Sequence, residues 1–222
     1  MDTKKPIIFC IVGRSGSGKD TILDLLTTDQ CCLQRLVYST TRDKREKEVD
    51  GWDYNFKSES EYINLKSTGD IIEERTYTTV DNGTIRYFTT KDELVLNDNC
   101  KAFIVSASVD QALSYIKTGY QVYFIIVDCS AKTRLQRILE RNCSYYNDSK
   151  VLEACRRLQE ENEEFNKIYL AADLYTTDTT FHFINDLNTI TGHPLLYCNE
   201  KVNKFLQDMV DGVYKFISSK VQ

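Results

Sequence analysis

Residues 13–21 read Gly-Arg-Ser-Gly-Ser-Gly-Lys-Asp-Thr. An apolar run, Ile7 to Val12, precedes them, and a helical pattern with Ile22, Leu23, Leu25 and Leu26 follows. Strand, glycine-rich turn, lysine and helix in that order make a phosphate-binding loop. Glycines let successive backbone N–H groups converge on one anion, and the helix N-terminus adds partial positive charge. Gly13, Ser15, Gly16, Ser17, Gly18, Lys19, Asp20 and Thr21 are therefore the candidate nucleotide-binding residues, with Lys19 on the outer phosphates. The pattern asks for Ser or Thr after the lysine as a Mg²⁺ ligand. Asp20 stands there, with Thr21 one residue later. Two roles are open to Asp20: a carboxylate for the metal, or an acidic residue in the first turn of the helix.

A second group of chemistry-bearing residues lies at 39–56, Ser-Thr-Thr-Arg-Asp-Lys-Arg-Glu-Lys-Glu-Val-Asp-Gly-Trp-Asp-Tyr-Asn-Phe. Arg42 and Arg45 are three apart and can share one phosphate through guanidinium forks. Tyr54 and Tyr87 can add phenolic hydrogen bonds. Against this, Asp43, Glu46 and Glu48 can neutralise the arginines as a solvated mixed-charge loop. A third signal is basic: residues 132–157 carry seven Lys or Arg against three Asp or Glu, in a chain of formal charge −5.

The elements that must position these groups alternate. Apolar runs predict strands at 6–12, 35–41, 101–107, 121–128 and 180–185. Helical patterns fall at 20–29, 90–97, 109–117, 131–141, 149–170 and 200–218. Within 45–90 the pattern changes to a short strand at 52–56, a helix at 58–67 and a hairpin, 71–80 with 84–90, turning at Asn82-Gly83. Alternating apolar strands and helices imply an α/β fold with a parallel sheet covered on both faces. The block at 39–90 is then an insertion into one domain.

The spacing T-T-R-x-x-R-x-x-E-x-D-G-x-D-Y-x-F behind a phosphate loop resembles guanylate kinase, over roughly residues 5–218. The resemblance implies a P-loop kinase with a five-stranded parallel core (1–38, 91–131 and 158–222), an inserted acceptor module (39–90) and a helical lid (about 132–157). It implies phosphoryl transfer from ATP to GMP or dGMP with Mg²⁺. Arg42, Arg45, Tyr54 and Tyr87 would hold the acceptor phosphate, and Glu73 would read guanine with Thr89 and Ser108 beside it. Arg137, Arg141 and Arg157 would close on the transferring phosphates, and Asn185 would approach the adenine of ATP. With Lys19 and Arg42 these arginines form the expected catalytic set, and Asp20 the expected metal ligand.

Several positions depart from the family's pattern. Its two aspartates after the strand at 101–107 are Ser106 and Ser108, its small serine before T-T-R is Tyr38, and the glycine after its second phosphate-binding tyrosine is Phe88. Lys44 and Lys47 replace a proline and a glycine. Phosphate contacts are thus kept while base contacts change. Two other activities fit this pattern: a kinase of the same fold acting on another nucleoside monophosphate or a ribose bisphosphate, whose loop Gly-Lys-Asp also resembles, and a non-catalytic binding module.

Composition bounds the rest. A sequence pI near 5.2 argues against a general nucleic-acid binder. No apolar run approaches the roughly 20 residues of a membrane span. Met-Asp-Thr-Lys-Lys-Pro runs directly into the first strand, so no secretory leader is expected. Eight cysteines occur without a C-x-x-C pair and with two histidines. They read as reduced, small core residues of a cytoplasmic protein. The expected partners are small-molecule nucleotides. Nothing in the sequence bears on oligomeric state.

Overall fold

The structure, a computed structural model, describes residues 5–27, 33–46, 48–79, 83–142, 151, 152, 155, 180–184 and 211–221. The strands are β1 (Ile7–Val12), β2 (Leu33–Arg35), β3 (Ser39–Thr40), β4 (Asn55–Phe56), β5 (Ile71–Thr79), β6 (Gly83–Thr90), β7 (Ala102–Ser106), β8 (Val122–Asp128) and β9 (Thr180–Ile184). The helices are α1 (Lys19–Leu26), α2 (Glu59–Thr68), α3 (Val109–Lys117) and α4 (Ala131–Asn142). A five-stranded parallel sheet runs β2-β7-β1-β8-β9, and a four-stranded sheet runs β4-β3-β6-β5.

The parallel strands are apolar because water reaches neither face. Ile8 through Val12 are fully buried, as are Phe103, Ile104 and Ile125 to Val127. Burying each such side chain contributes about 1.5–3 kcal/mol before chain entropy is counted. Cys10 lies buried in β1 and Cys129 just beyond β8, both as thiols. No helix among the described residues is long and apolar enough to cross a membrane.

The chain divides into two compact units. One comprises Met1–Phe9, Gln30–Val105 and Asp110–Val122, and holds the whole four-stranded sheet with α2. The other comprises Cys10–Asp29, Ser106–Val109 and Tyr123–Gln222, and holds the glycine-rich loop, α1, α4 and β9.

In the first unit, α2 covers one face of the four-stranded sheet. Its start is fixed by a capping box, with Ser58 Oγ accepting from the Glu61 N–H and Glu61 Oε2 accepting from the Ser58 N–H. Tyr62 then packs on Phe88 at 5.2 Å and donates to Glu74 Oε2 at 2.6 Å. Phe88, which stands where the family's pattern has a glycine, is thus a fully buried anchor for the helix. In the second unit, residues 211–220 are helical, and Phe216 meets the rings of Phe181 and Tyr123.

Three elements differ from their sequence expectation. The strand expected at 35–41 is two strands in two sheets. Leu36 N–H still donates to the Ile104 carbonyl, but Ser39 and Thr40 pair with β4 and β6. Period-two alternation is the same whichever sheet a strand joins, so the change of partner leaves no mark. The helix expected at 90–97 is a single 3-10 turn, Asp92–Leu94. Gln34 holds the chain beyond it extended, donating to the Val95 carbonyl and accepting from the Asn97 N–H. The strand expected at 52–56 shortens to Asn55–Phe56, because residues 50–54 turn back on themselves with Gly51 N–H on the Tyr54 carbonyl. The hairpin's turn, residues 80–82, and most of the helices expected at 149–170 and 200–218 lie outside the described residues.

Candidate functional site

The glycine-rich loop in the second unit is built for close backbone approach. Gly16 and Gly18 have φ of +78° and +93°, the left-handed region that aims successive N–H groups inward. A Cβ at Gly13 would strike the Val127 carbonyl oxygen and come within 2.6 Å of Ser17 Oγ. One at Gly16 would lie 2.8 Å from the Arg134 carbonyl oxygen. The loop is therefore clamped between the end of β8 and α4. Arg14 pairs with Asp128 at 3.3 Å, and Arg137 donates to the Gly16 carbonyl at 3.0 Å. Arg134 is buried at the same contact. α1 begins at Lys19 behind this loop. Among the described residues no carboxylate pairs with Lys19.

Asp20 and Thr21 are exposed on the first turn of α1. Ser106, at the end of β7, donates its hydroxyl to Asp20 Oδ1 at 2.9 Å. Where the family's pattern places a hydroxyl after the lysine and a carboxylate at the strand end, this chain carries the same two groups exchanged. These are hard oxygen donors, which suit Mg²⁺.

A second cluster lies in the first unit, on the face of the four-stranded sheet away from α2. Ladder register puts Thr40 opposite Tyr87 and Phe56, Arg75 opposite Tyr87, and Glu73 opposite Thr89. Residues opposite one another share a face, as do residues two apart. Tyr38, Tyr54, Glu73, Arg75, Tyr87 and Thr89 therefore point the same way. Glu48 grips the buried Arg42 through both oxygens, at 2.8 and 2.9 Å. Arg42 Nε donates to the Tyr87 hydroxyl at 3.2 Å, and its guanidinium lies 5.2 Å from the Tyr54 ring. Arg45 is exposed and only 3.8 Å from Glu48. Burial alone would raise the Glu48 acid, but the Arg42 hydrogen bonds outweigh it and hold the group below its ordinary value. The mixed-charge reading of this segment is thus half right. Glu48 orients Arg42, and Arg45 keeps its fork toward solvent.

Glu73 is buried deeper along the same face. It accepts from Thr89 Oγ1 at 2.8 Å and pairs with Arg75 at 3.2 Å. Burial pushes its acid up, against the pull of the Arg75 charge. Tyr38 is held well above the usual phenol value, by burial first and by Tyr54 second.

The structure thus brings Arg42, Arg45, Tyr54 and Tyr87 together, with Glu73 and Thr89 further along the same sheet. It separately gathers Gly13 to Thr21 with Arg137. Ser108 belongs to the unit that carries the loop. Arg157, Asn185 and the Arg141 side chain lie outside the described residues. Sequence reasoning missed Arg14, Asp128 and Arg75 as site residues. Arg75 carried a usable signal, since it stands two places from Glu73 on a strand. Arg14 and Asp128 are 114 residues apart, and only the fold joins them.

The family model for guanylate kinase matches residues 3–181. A guanylate kinase of Oceanobacillus iheyensis is 27% identical over 215 residues, 96% of this chain and 100% of that protein. One from Caldanaerobacter subterraneus is 29% identical over 168 residues, 74% of this chain and 76% of that protein. The crystal structure of guanylate kinase from Anaplasma phagocytophilum shares the fold, with a TM-score of 0.53 at 15% identity over 99% of this chain and 88% of that one. With the family model matched over most of its length, this chain belongs to the guanylate kinase family of nucleoside monophosphate kinases.

Proposed function

We propose that this protein transfers the terminal phosphoryl group of ATP to GMP or dGMP, giving ADP and GDP or dGDP. The observation that carries this reading is the cradle of Arg42, Tyr54 and Tyr87, with Arg45 at its rim, in a chain that also holds an intact phosphate loop. A phosphate monoester fits such a cradle through the Arg45 fork and two phenols, with the Glu48-held Arg42 guanidinium adding charge beside them.

An oxygen of the acceptor phosphate attacks the terminal phosphorus of ATP, and the bond to the bridging oxygen breaks. That acceptor oxygen is already ionised at neutral pH, so no general base is needed. Catalysis is then alignment and neutralisation of charge. The loop amides and Lys19 hold the donor phosphates. Arg137 fixes the loop through its carbonyls. Glu48 holds Arg42 in one orientation, so that little freedom is lost when the acceptor binds. By the family resemblance, Arg141 and Arg157 would add positive charge for the transferring group and Asn185 would bind the adenine. Asp20 and Ser106 would supply oxygen ligands for Mg²⁺, which would offset negative charge on the donor phosphates. The working compartment is the reducing cytoplasm, where Cys10 and Cys129 serve as apolar core residues.

The test is ADP formation from Mg-ATP with each nucleoside monophosphate in turn. Turnover with GMP or dGMP is expected. Turnover confined to a different acceptor, or none while ATP binds, overturns the assignment.

A further inference from the structure

Glu73 is the carboxylate that the family resemblance assigns to the base, yet in this chain both its oxygens are committed. Oε1 accepts from Thr89 Oγ1 at 2.8 Å and lies 3.4 Å from Gln111 Nε2 and from a terminal nitrogen of Arg75. Oε2 accepts from Arg75 Nε at 3.2 Å. The Glu73 side chain is 0% exposed and the Arg75 side chain 11%. Of the pair, Arg75 is therefore the side chain nearer solvent, and its guanidinium lies 5.2 Å from the Tyr38 ring and 5.8 Å from the Tyr87 ring. Tyr87 is the residue that also touches Arg42 of the phosphate cradle. Arg75 thus stands on the same face, one ring away from where the acceptor phosphate would sit.

The two chemistries differ in what they can read. A free carboxylate accepts from the ring N–H and 2-amino group of guanine. A guanidinium has donors only. Its natural partners on a base are acceptors side by side, such as O6 and N7 of a 6-oxopurine. Tyr38 and Tyr87 fix the plane of the fork, and Glu73 fixes its direction. We propose that Arg75, positioned by Glu73, is the base-selecting residue of the acceptor site, and that it selects a 6-oxopurine by its ring acceptors rather than by its 2-amino group. This rests on the kinase reading above.

The consequence is an unusual acceptor profile. Guanine and hypoxanthine present the same O6 and N7 to Arg75. Adenine presents an amino donor where O6 would be, and donor meets donor. GMP and IMP are then acceptors of similar efficiency, and AMP is poor.

The experiment compares kcat/KM of the wild-type protein for GMP, IMP and AMP. GMP and IMP are expected within about fivefold of one another, and AMP lower by about 100-fold, the upper range for one bidentate base contact. Because the wild type is used, this comparison does not depend on a variant folding. Arg75→Ala should raise KM for GMP and IMP with kcat largely kept. It should also widen the GMP preference over IMP to about tenfold or more, as the released Glu73 reaches the 2-amino group. Glu73→Gln should weaken both acceptors alike through KM, as a positioning residue does. A wild-type preference for GMP over IMP beyond about 100-fold would show that the carboxylate reads the amino group, and overturns the proposal while leaving the kinase reading intact. So does an Arg75→Ala protein, folded by its thermal transition, with unchanged KM. No turnover of any purine monophosphate by wild type sinks the kinase reading itself.

Discussion

Arg42 shows how a residue can be both structural and chemical. Glu48 holds it bidentately and Tyr87 accepts from its Nε, so it is oriented before any ligand arrives. Arg42→Ala should raise KM for the acceptor about 10- to 100-fold, the worth of a lost charged hydrogen bond, measured by steady-state kinetics. Arg42→Lys should rescue little, because an ammonium cannot reproduce the fork. The pair also has a pH signature. The folded Glu48 acid lies below its ordinary value of 4.5. Its contribution to stability is therefore present above about that pH and is lost as pH falls through the lower folded value. Urea midpoints from pH 6 downward should fall more steeply in wild type than in Glu48→Gln, and parallel curves would refute the pairing.

At the scale of elements, the phosphate loop depends on contacts that no side chain at its glycines would permit. Gly13→Ala pushes a methyl group into the Val127 carbonyl and Ser17 Oγ. It should cost about 1–3 kcal/mol of stability and weaken ATP binding, read by denaturant unfolding and calorimetry. The contrasting case is α2, which only supports the acceptor sheet from behind. Ser58→Ala removes the capping hydroxyl and should cost about 1 kcal/mol, with KM for both substrates kept. A large KM change in that variant would show that α2 does more than support.

For the molecule as a whole, the glycine-rich loop and the Arg42–Tyr87 cluster reside in different compact units. On the proposed function, each ligand then stabilises by mass action through its own residues. At about 100 times its dissociation constant a ligand adds about 2.7 kcal/mol, a rise in Tm of about 5–10 °C for a chain this size. Lys19→Ala should abolish the rise given by ATP and keep the one given by GMP, and Arg42→Ala should cut the GMP rise to about half or less and keep the one given by ATP. Loss of both shifts in either variant would refute this separation.

The sequence alone determined the phosphate loop, the alternation of strand and helix and the spacing of the acceptor arginines. Those signals are local: a turn of glycines, a period of two or 3.6, a run of chemistry-bearing residues. What only the tertiary structure decided is which groups those residues meet. One alternating stretch, 35–41, serves two sheets, since alternation records burial and not the identity of the neighbour. Glu48, read as a neutraliser, is the clamp of Arg42. Asp20 and Ser106 exchange the expected hydroxyl and carboxylate, which two serines and one misplaced aspartate did not announce. Glu73, expected from the resemblance to read guanine, is buried and paired with Arg75. Each of these depends on a hydrogen bond or ion pair whose direction is set by the pleat and by packing, and packing joins residues that the chain itself keeps apart.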